Sequence, residues 1–597
     1  MILPRTHLSV ALAAVAILAA SECSLLASAQ ANVSFSNYVT MPDGVRLAAE
    51  VYLPPGATRD APLPVLLQLT RYWRAQEDPH TGAAIPSLSS LDRFFLQNGY
   101  ALVVADVRGT GASFGFRTTE YGEQEVRDGY AVVDWIVNQP WSDGSVGAYG
   151  TSYTGTTAEM VTAVNHPTIK AVIPGWSDWD GYTSPVRPYG MLASGFIRTW
   201  GSYVGWQDDN NTGQLGASVR RVDGDDDGAL LAAAVAEHAN NPDVYEVATW
   251  AEYRDSDFEG IKFFDMGPTM WLDEIEQSQV PMLVLVSWLD AGTIDGTIQR
   301  LTRLTNAQKV LIMASGHGGG GHASPFVVGS DPVAPEPSAD EQFAMRLAFF
   351  DHYLRGVDND VLDWPNVRYF TMGEEAFHEA DTWPPAASSP RRWFMAADGA
   401  LDLEPGSDGT DSYTVDFGVT TGSTNRWTTQ MGGPVRDLDN RGAMDARMLT
   451  YTTAPLEHDL EVTGAPVVML EVSSDHADGA FFVYLEDVDP AGRSRYVTEG
   501  GLRAVHRRPY EPKHLGEPLH SFRQDDALPL VPGEMTELEF RMWPTSVLFR
   551  KGHRIRVAIA GADADTFDRL PAEGTPTITL HRGRSGSSIL LPVIERE

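Results

Sequence analysis

Two continuous apolar runs, LPVLLQL (Leu63–Leu69) and YALVVADV (Tyr100–Val107), constrain this chain most. Each is short and shows no alternation, so each reads as a strand buried on both faces. The stretch between them, LDRFFLQNG, has helical spacing and stops at Gly99. The same alternation continues downstream. Glu125–Gln139 is helical, SVGAYGTSYTGTTAEMVTAVNHP is strand, sharp turn and helix, and IKAVIPG is another strand. Strands alternating with helices imply a parallel sheet covered on both faces. Ahead of it, Pro42-Asp43-Gly44 stands between two alternating segments, a hairpin signal.

The pattern breaks between Trp176 and about Gln279, a stretch with several tryptophans, two acidic clusters and an alanine-rich helix (Ala229–His238). It then resumes with a strand in Val280–Trp288, a helix over Asp295–Leu304, the strand Lys309–Met313 and a helix over Glu341–Gly356. An insertion near the ligand edge of an α/β sheet reads as a cap. From Arg391 onward short strands follow one another between turn residues, which predicts an all-β sandwich of the jelly-roll kind. Trp383 to Pro390 is the linker. At 597 residues the chain is too long for one core and divides into two to four domains.

The N-terminus reads differently. Arg5 precedes an apolar run, Leu8 to Ala20, and Ala27-Ser28-Ala29 or Ala29-Gln30-Ala31 supplies small residues for a cleavage site. This predicts a signal peptide over 1–31 and a secreted or periplasmic protein. Ser21-Glu22 cuts the run short of the roughly 18–20 residues that span a bilayer, so no membrane attachment is expected once the leader is cleaved. Cys23 is the sole cysteine, and it leaves with the leader. No disulfide, thiol nucleophile or thiolate metal site is then expected. The net charge of −36 argues against nucleic acid and anionic membranes as partners.

Gly150-Thr151-Ser152-Tyr153-Thr154-Gly155 lies between a strand and a helix. G-x-S-x-G is the nucleophile elbow of α/β-hydrolases, and here its last glycine is displaced by one position. Such a turn exposes the Ser152 hydroxyl and aims the Tyr153 backbone N–H at a developing oxyanion. The base and its orienting acid follow in the order Ser, Asp, His, each after a later strand. Asp290 ends the strand that begins at Val280. Asp295 is the expected N-cap of the next helix.

The following strand leads into MASGHGGGGHAS (Met313–Ser324), where His317 and His322 compete. His317 comes four residues after the strand end and is the expected base; His322 lies deeper in the glycine run. Read forward, His317 opens an H-G-G-G string, but an oxyanion loop of that kind precedes the nucleophile. A metal site needs three convergent ligands, and this loop offers two histidines and no acid. Asp223-Gly224-Asp225-Asp226-Asp227-Gly228 matches the start of a calcium loop, yet Ala234 stands where the twelfth-position glutamate belongs. A solvated turn before a helix is expected there. No cofactor and no metal are expected.

The chain resembles the X-prolyl dipeptidyl peptidase/cocaine esterase hydrolases, which include α-amino acid ester hydrolases and glutaryl acylases. The resemblance rests on MPDGVRLAAEVYLP, ADVRGTGASFG, WSDGSVGAYGTSYTG and SWLDAG, and near the C-terminus on VTGAPVVMLEVSSD and LFRKGHRIRVAIAG. It implies an α/β-hydrolase domain in two parts, 32–175 and 280–385, around a helical cap, 176–279, followed by a C-terminal jelly-roll β-sandwich, 391–597. It implies Ser152, Asp290 and His317 as the triad and Tyr72 as the second oxyanion donor. Trp176, Trp179 and Tyr182, at the start of the cap, are the candidate substrate-binding residues. Where the family writes G-P-W-x-H, this chain has Ala314-Ser315-Gly316-His317. Where amino-ester hydrolases follow the catalytic Asp with two acids, it has Ala291, Gly292 and Thr293, which favours a neutral or apolar acyl group.

The expected activity is therefore hydrolysis of a carboxylic ester or amide through an acyl-enzyme. One alternative is an X-Pro dipeptidyl-peptidase, with Asp178 or Asp180 binding the substrate N-terminus. Another is a carbohydrate-binding or adhesion protein with an inactive hydrolase part. The expected partner is a small ester, amide or peptide, and homo-oligomers stay open.

Overall fold

β1 (Val33–Thr40) and β2 (Arg46–Leu53) form an antiparallel hairpin. Gly44 turns it with φ 89°, a conformation that favours glycine. The computed structural model describes residues 33–596 apart from 259, 328–332, 437 and 584–585. The expected signal peptide and Cys23 lie outside the described residues.

The hairpin opens a ten-stranded sheet. Its other strands are β3 (Leu63–Thr70), β4 (Ala101–Asp106), β5 (Ser142–Thr151), β6 (Ile169–Gly175), β7 (Met282–Ser287), β8 (Gln308–Met313), β9 (Val367–Thr371) and β10 (Ala376–Ala380). Their spatial order is β1-β2-β4-β3-β5-β6-β7-β8-β9-β10. The run from β4 to β9 is parallel. The edges are antiparallel, so the sheet is mixed rather than wholly parallel. β9 and β10 escape sequence reading because both are short, and β10 is only half-buried.

Every residue of β4 and of β7 is buried. Each fully buried Val or Leu contributes about 1.5–3 kcal/mol, which is why these strands carry unbroken apolar runs. Helices α1 (Ser90–Gln97), α2 (Glu123–Val137) and α3 (Tyr153–Met160) follow β3, β4 and β5, and α7 (Thr293–Arg303) and α8 (Ala339–Arg355) follow β7 and β8. Ser89 with Asp92, and Ser338 with Glu341, form capping boxes that start α1 and α8.

Between β6 and β7 the insertion carries α4 (Ser194–Asp208), α5 (Ala229–His238) and α6 (Val244–Trp250). The acidic turn before α5 is used by the backbone. Asp225 accepts from Leu230 N and Leu231 N, both at 2.9 Å, and Asp223 accepts from Ser36 N at 3.0 Å. Among the described residues no group of three or more His, Cys, Asp or Glu side chains is arranged to hold a metal ion.

The C-terminal part is all β, with a nine-stranded and a four-stranded sheet whose pairs are antiparallel. It joins the first sheet through backbone bonds from Met372 N to Ser546 O (3.0 Å) and from Leu548 N to Met372 O (2.8 Å). It also reaches α7. Asp295 does not cap that helix. Its carboxylate pairs with Arg541 at 2.7 Å, and the N-cap position is Gly292, with no side-chain bond.

Candidate active site

Ser152 is the single residue between the end of β5 and the start of α3. Its backbone takes φ 63° and ψ −128°, which costs a non-glycine residue about 1–3 kcal/mol. Close packing explains the neighbouring glycines. A Cβ on Gly150 would lie 2.4 Å from Thr154, and one on Gly155 would lie 2.5 Å from Gly175 O at the end of β6. The second small residue is thus needed at 155, where α3 presses on the sheet. Position 154 instead uses a hydroxyl, which accepts from Thr151 N at 3.0 Å. Tyr153 N is the first N–H of α3, at the helix end whose N–H groups lack intrahelical partners. Its side chain is locked: the hydroxyl donates to Glu125 at 2.6 Å and the ring stacks on Tyr121 with centroids 4.4 Å apart.

Asp290 and His317 meet. His317 Nδ1 lies 2.9 Å from Asp290 Oδ2. Asp290 is fully buried, and its oxygens also accept from Thr293 Oγ1 (3.0 Å) and Thr429 Oγ1 (2.7 Å). Burial works against the charged imidazolium. The charge and hydrogen bond of Asp290, with a smaller pull from Asp178, outweigh it and hold the His317 pKa above the usual histidine value. His317 Nε2 is buried and makes no hydrogen bond among the described residues. The loop lies against the turn that presents Ser152: a Cβ on Gly318 would be 3.6 Å from Thr151 Cγ2.

His322 is held elsewhere. Its Nε2 lies 3.1 Å from Glu375 Oε2, in the turn between β9 and β10.

Tyr72 follows β3 and lines the same cavity as Ser152. Its oxygen accepts from Trp200 Nε1 at 2.9 Å, which leaves its own proton to be donated. Burial pushes the Tyr72 phenol well above its usual pKa, so it stays a donor. The walls of this narrow cavity include Phe196, Ile197 and Trp200 of α4, Val244 of α6, and Phe263 and Met266. Besides Ser152 and the hydroxyls of Tyr72 and Tyr121, Asp178, Glu120 and Gln430 interrupt this apolar lining. Burial pushes the Asp178 carboxyl up to about 7 despite the opposing pull of His317 and of the Ser184 hydroxyl. Glu120 has one oxygen paired to Arg71 and the other unpartnered among the described residues. Gln430 comes from the C-terminal part, and its Oε1 is buried without a partner among the described residues.

Trp176, Trp179 and Tyr182 are not among the residues lining this cavity. Trp176 packs its ring where a Cβ on Gly319 would lie, 2.8 Å away. Trp179 sits under Arg300, and Tyr182 donates to Glu252 O at 2.9 Å with its ring against Phe264. These aromatics hold the base of the insertion against the sheet. Helix α4 and the segment around Phe263 form the walls instead. Asp180 is also occupied, by Arg254 at 2.6 Å and by Tyr182 N and Thr183 N. Sequence reasoning missed Trp200, Thr429 and Gln430 because no local motif marks them.

A mixed α/β sheet with a serine on a strained strand–helix turn and an all-β C-terminal part defines an α/β-hydrolase of the serine hydrolase class. Comparison with known proteins narrows this further. Residues 43–319 match the X-Pro dipeptidyl-peptidase (S15 family), and residues 359–588 match the X-Pro dipeptidyl-peptidase C-terminal non-catalytic domain. A protein named "Putative serine esterase" from Mycobacterium bovis is 39% identical over 605 residues, covering 94% of this chain and 95% of its own. Cocaine esterase of a Rhodococcus species is 27% identical over 616 residues, covering 95% and 99%. The solved CocE/NonD family hydrolase from Staphylococcus aureus superposes with a TM-score of 0.71 at 19% identity, over 94% of both chains. The chain belongs to this X-Pro dipeptidyl-peptidase/cocaine esterase family of serine hydrolases. The reading as an adhesion protein with an inactive hydrolase part is set aside.

Proposed function

We propose that this protein is an exported esterase or amidase that works through an acyl-enzyme on Ser152. His317 Nε2 takes the Ser152 proton and later returns it to the leaving group. Asp290 fixes the imidazole and balances its charge. Tyr153 N–H and the Tyr72 hydroxyl receive the oxyanion. The observation that carries this reading is the buried Asp290–His317 pair with Nε2 free, on a loop packed against the strained Ser152 turn. Export rests on the leader-like run before residue 31.

The apolar cavity walls support a neutral acyl group, and the more similar curated relatives carry esterase names. A second reading, an aminoacyl or X-Pro substrate, is favoured by Asp178 and Glu120. Ala291, Gly292 and Thr293 offer no carboxylate, but these two bring carboxyl groups to the cavity that holds Ser152.

Labelling with a fluorophosphonate, followed by peptide mapping, should mark Ser152. A label on another serine, or full turnover by Ser152→Ala, overturns the triad. A panel of neutral p-nitrophenyl esters, aminoacyl esters and X-Pro p-nitroanilides then decides between the two substrate readings by kcat/KM.

A further inference from the structure

Asp290 is the point where the two halves of the molecule meet chemically. Its Oδ2 faces His317 Nδ1 and Thr293 Oγ1. Its Oδ1 has one side-chain donor among the described residues, the Thr429 hydroxyl at 2.7 Å. Thr429 is fully buried and opens a short 3-10 turn, Thr429–Met431, of the all-β part.

A hydroxyl has one proton to give, and Thr429 Oγ1 also lies 2.6 Å from Arg426 O. That carbonyl already accepts from Ala291 N at 2.9 Å. The carboxylate is the stronger acceptor, since hydrogen bonds to ionised groups are about twice as strong as neutral ones. Asp290 and the Arg426 carbonyl compete for this proton, and the charge of the carboxylate favours Asp290. The same loop grips the backbone on both sides of it. Arg426, also buried, donates to Trp288 O at 3.0 Å and to Ala291 O at 2.6 and 2.9 Å. It is anchored in turn by Tyr496, whose hydroxyl donates to Glu499. Ala291 is held at φ 40°, a left-handed conformation that a non-glycine residue keeps only when its surroundings impose it.

We propose that Thr429 is a positioning residue of the active site, its hydroxyl holding the Asp290 carboxylate in the orientation that His317 requires. The proposal rests on the triad reading above. The domain whose family description is non-catalytic then completes the triad from behind, and catalysis requires the two parts to be docked.

The test is Thr429→Val, with Thr429→Ser as the rescue and Asp290→Asn as the control. Without the hydroxyl the carboxylate is held at Oδ2 alone, by His317 and Thr293, and its orientation is less well defined. It also carries more negative charge toward His317, whose titratable neighbours are Asp290 and Asp178. Thr429→Val should lower kcat about ten- to a hundredfold, the range expected for one hydrogen bond to a charged group. KM should stay within about twofold of wild type, since Thr429 does not line the cavity. The acid limb of kcat/KM should move to higher pH, because a more negative partner favours the imidazolium. Thr429→Ser should restore both. If Val does not fold at this position, Thr429→Ala removes the hydroxyl with less steric change and should give the same profile.

An inactive Asp290→Asn enzyme beside a Thr429→Val enzyme with wild-type kcat and pH profile overturns the proposal alone. So does a Thr429→Val enzyme that loses only thermal stability. An Asp290→Asn enzyme with wild-type activity removes the triad reading, and this proposal with it.

Discussion

His317 and His322 share one glycine-rich loop, and each faces a carboxylate at hydrogen-bond distance. By that criterion they are alike. They differ in which nitrogen is engaged and in what lies beyond it. His317 gives Nδ1 to the buried Asp290 and leaves Nε2 without a partner among the described residues, on a loop that packs against the Ser152 turn. His322 gives Nε2 to Glu375, a carboxylate that also accepts from Ser324 Oγ and Gly373 N, both at 2.7 Å. Its ring lies edge-on to Phe370, with centroids 5.4 Å apart. The second pair ties the end of the loop to the β9–β10 turn, while the first leaves a nitrogen that the proposed mechanism uses for proton transfer. A histidine–carboxylate pair can serve as a general base only when its remaining nitrogen is free to reach a nucleophile, and only His317 leaves Nε2 free.

The comparison breaks most sharply at His317 itself. His317→Ala should lower kcat by about 10⁴-fold or more, as should Ser152→Ala. The double variant should be hardly worse than either single one, because the pair acts as a unit. Steady-state rates on an activated ester check this. Losses that multiply in the double variant would mean that the two residues work separately.

Next in size is Tyr72→Phe. Losing one oxyanion donor costs about 10²–10³ in kcat with KM little changed. The bond from Trp200 leaves the Tyr72 proton available to donate, and a Phe ring preserves the packing but not that donor. A Tyr72→Phe enzyme within about threefold of wild type would make Tyr72 a wall residue.

The pH profile sharpens the comparison further. His317 accepts a proton only when neutral, so kcat/KM should fall as pH drops through its raised pKa, above the usual histidine value. Asp178 contributes to that rise. Asp178→Asn should therefore move the acid limb to lower pH, which a pH–rate series on a neutral ester would read. A shift the other way would show that Asp178 does not act on His317 through its charge.

What sequence alone reveals here follows from how far apart the interacting residues are. Ser152 is legible because the elbow needs Gly150 and Gly155 within three residues of it, for a close approach that is local. His317 is legible because a parallel sheet delivers its strand ends to one edge, and β7 and β8 are unmistakable apolar runs. The cavity is not legible. Trp200 comes from α4, whose spacing resembles any buried helix, and Thr429 reaches Asp290 across 139 residues. Asp295 shows the same limit: its place before an apolar run suggests an N-cap, but Arg541 claims it from another domain. Trp176, Trp179 and Tyr182 read as pocket residues from their place at the start of the cap, yet they pack the insertion onto the sheet.

The smallest expected effect belongs to His322. Its ring is buried, with 6% of the side chain exposed, and Glu375 keeps two other donors when it is removed. His322→Ala should therefore leave kcat/KM within about threefold of wild type while costing stability, since one hydrogen bond to a charged group contributes about 1.5–3 kcal/mol. The cost should appear in the part that unfolds with the β9–β10 turn, as a lower denaturant midpoint. His322→Gln, which can still donate to Glu375, should recover much of it. A folded His322→Ala enzyme slowed by more than about a hundredfold would move the base from His317 to His322. The free Nε2 of His317 would then be a buried polar atom with no role, a costly arrangement.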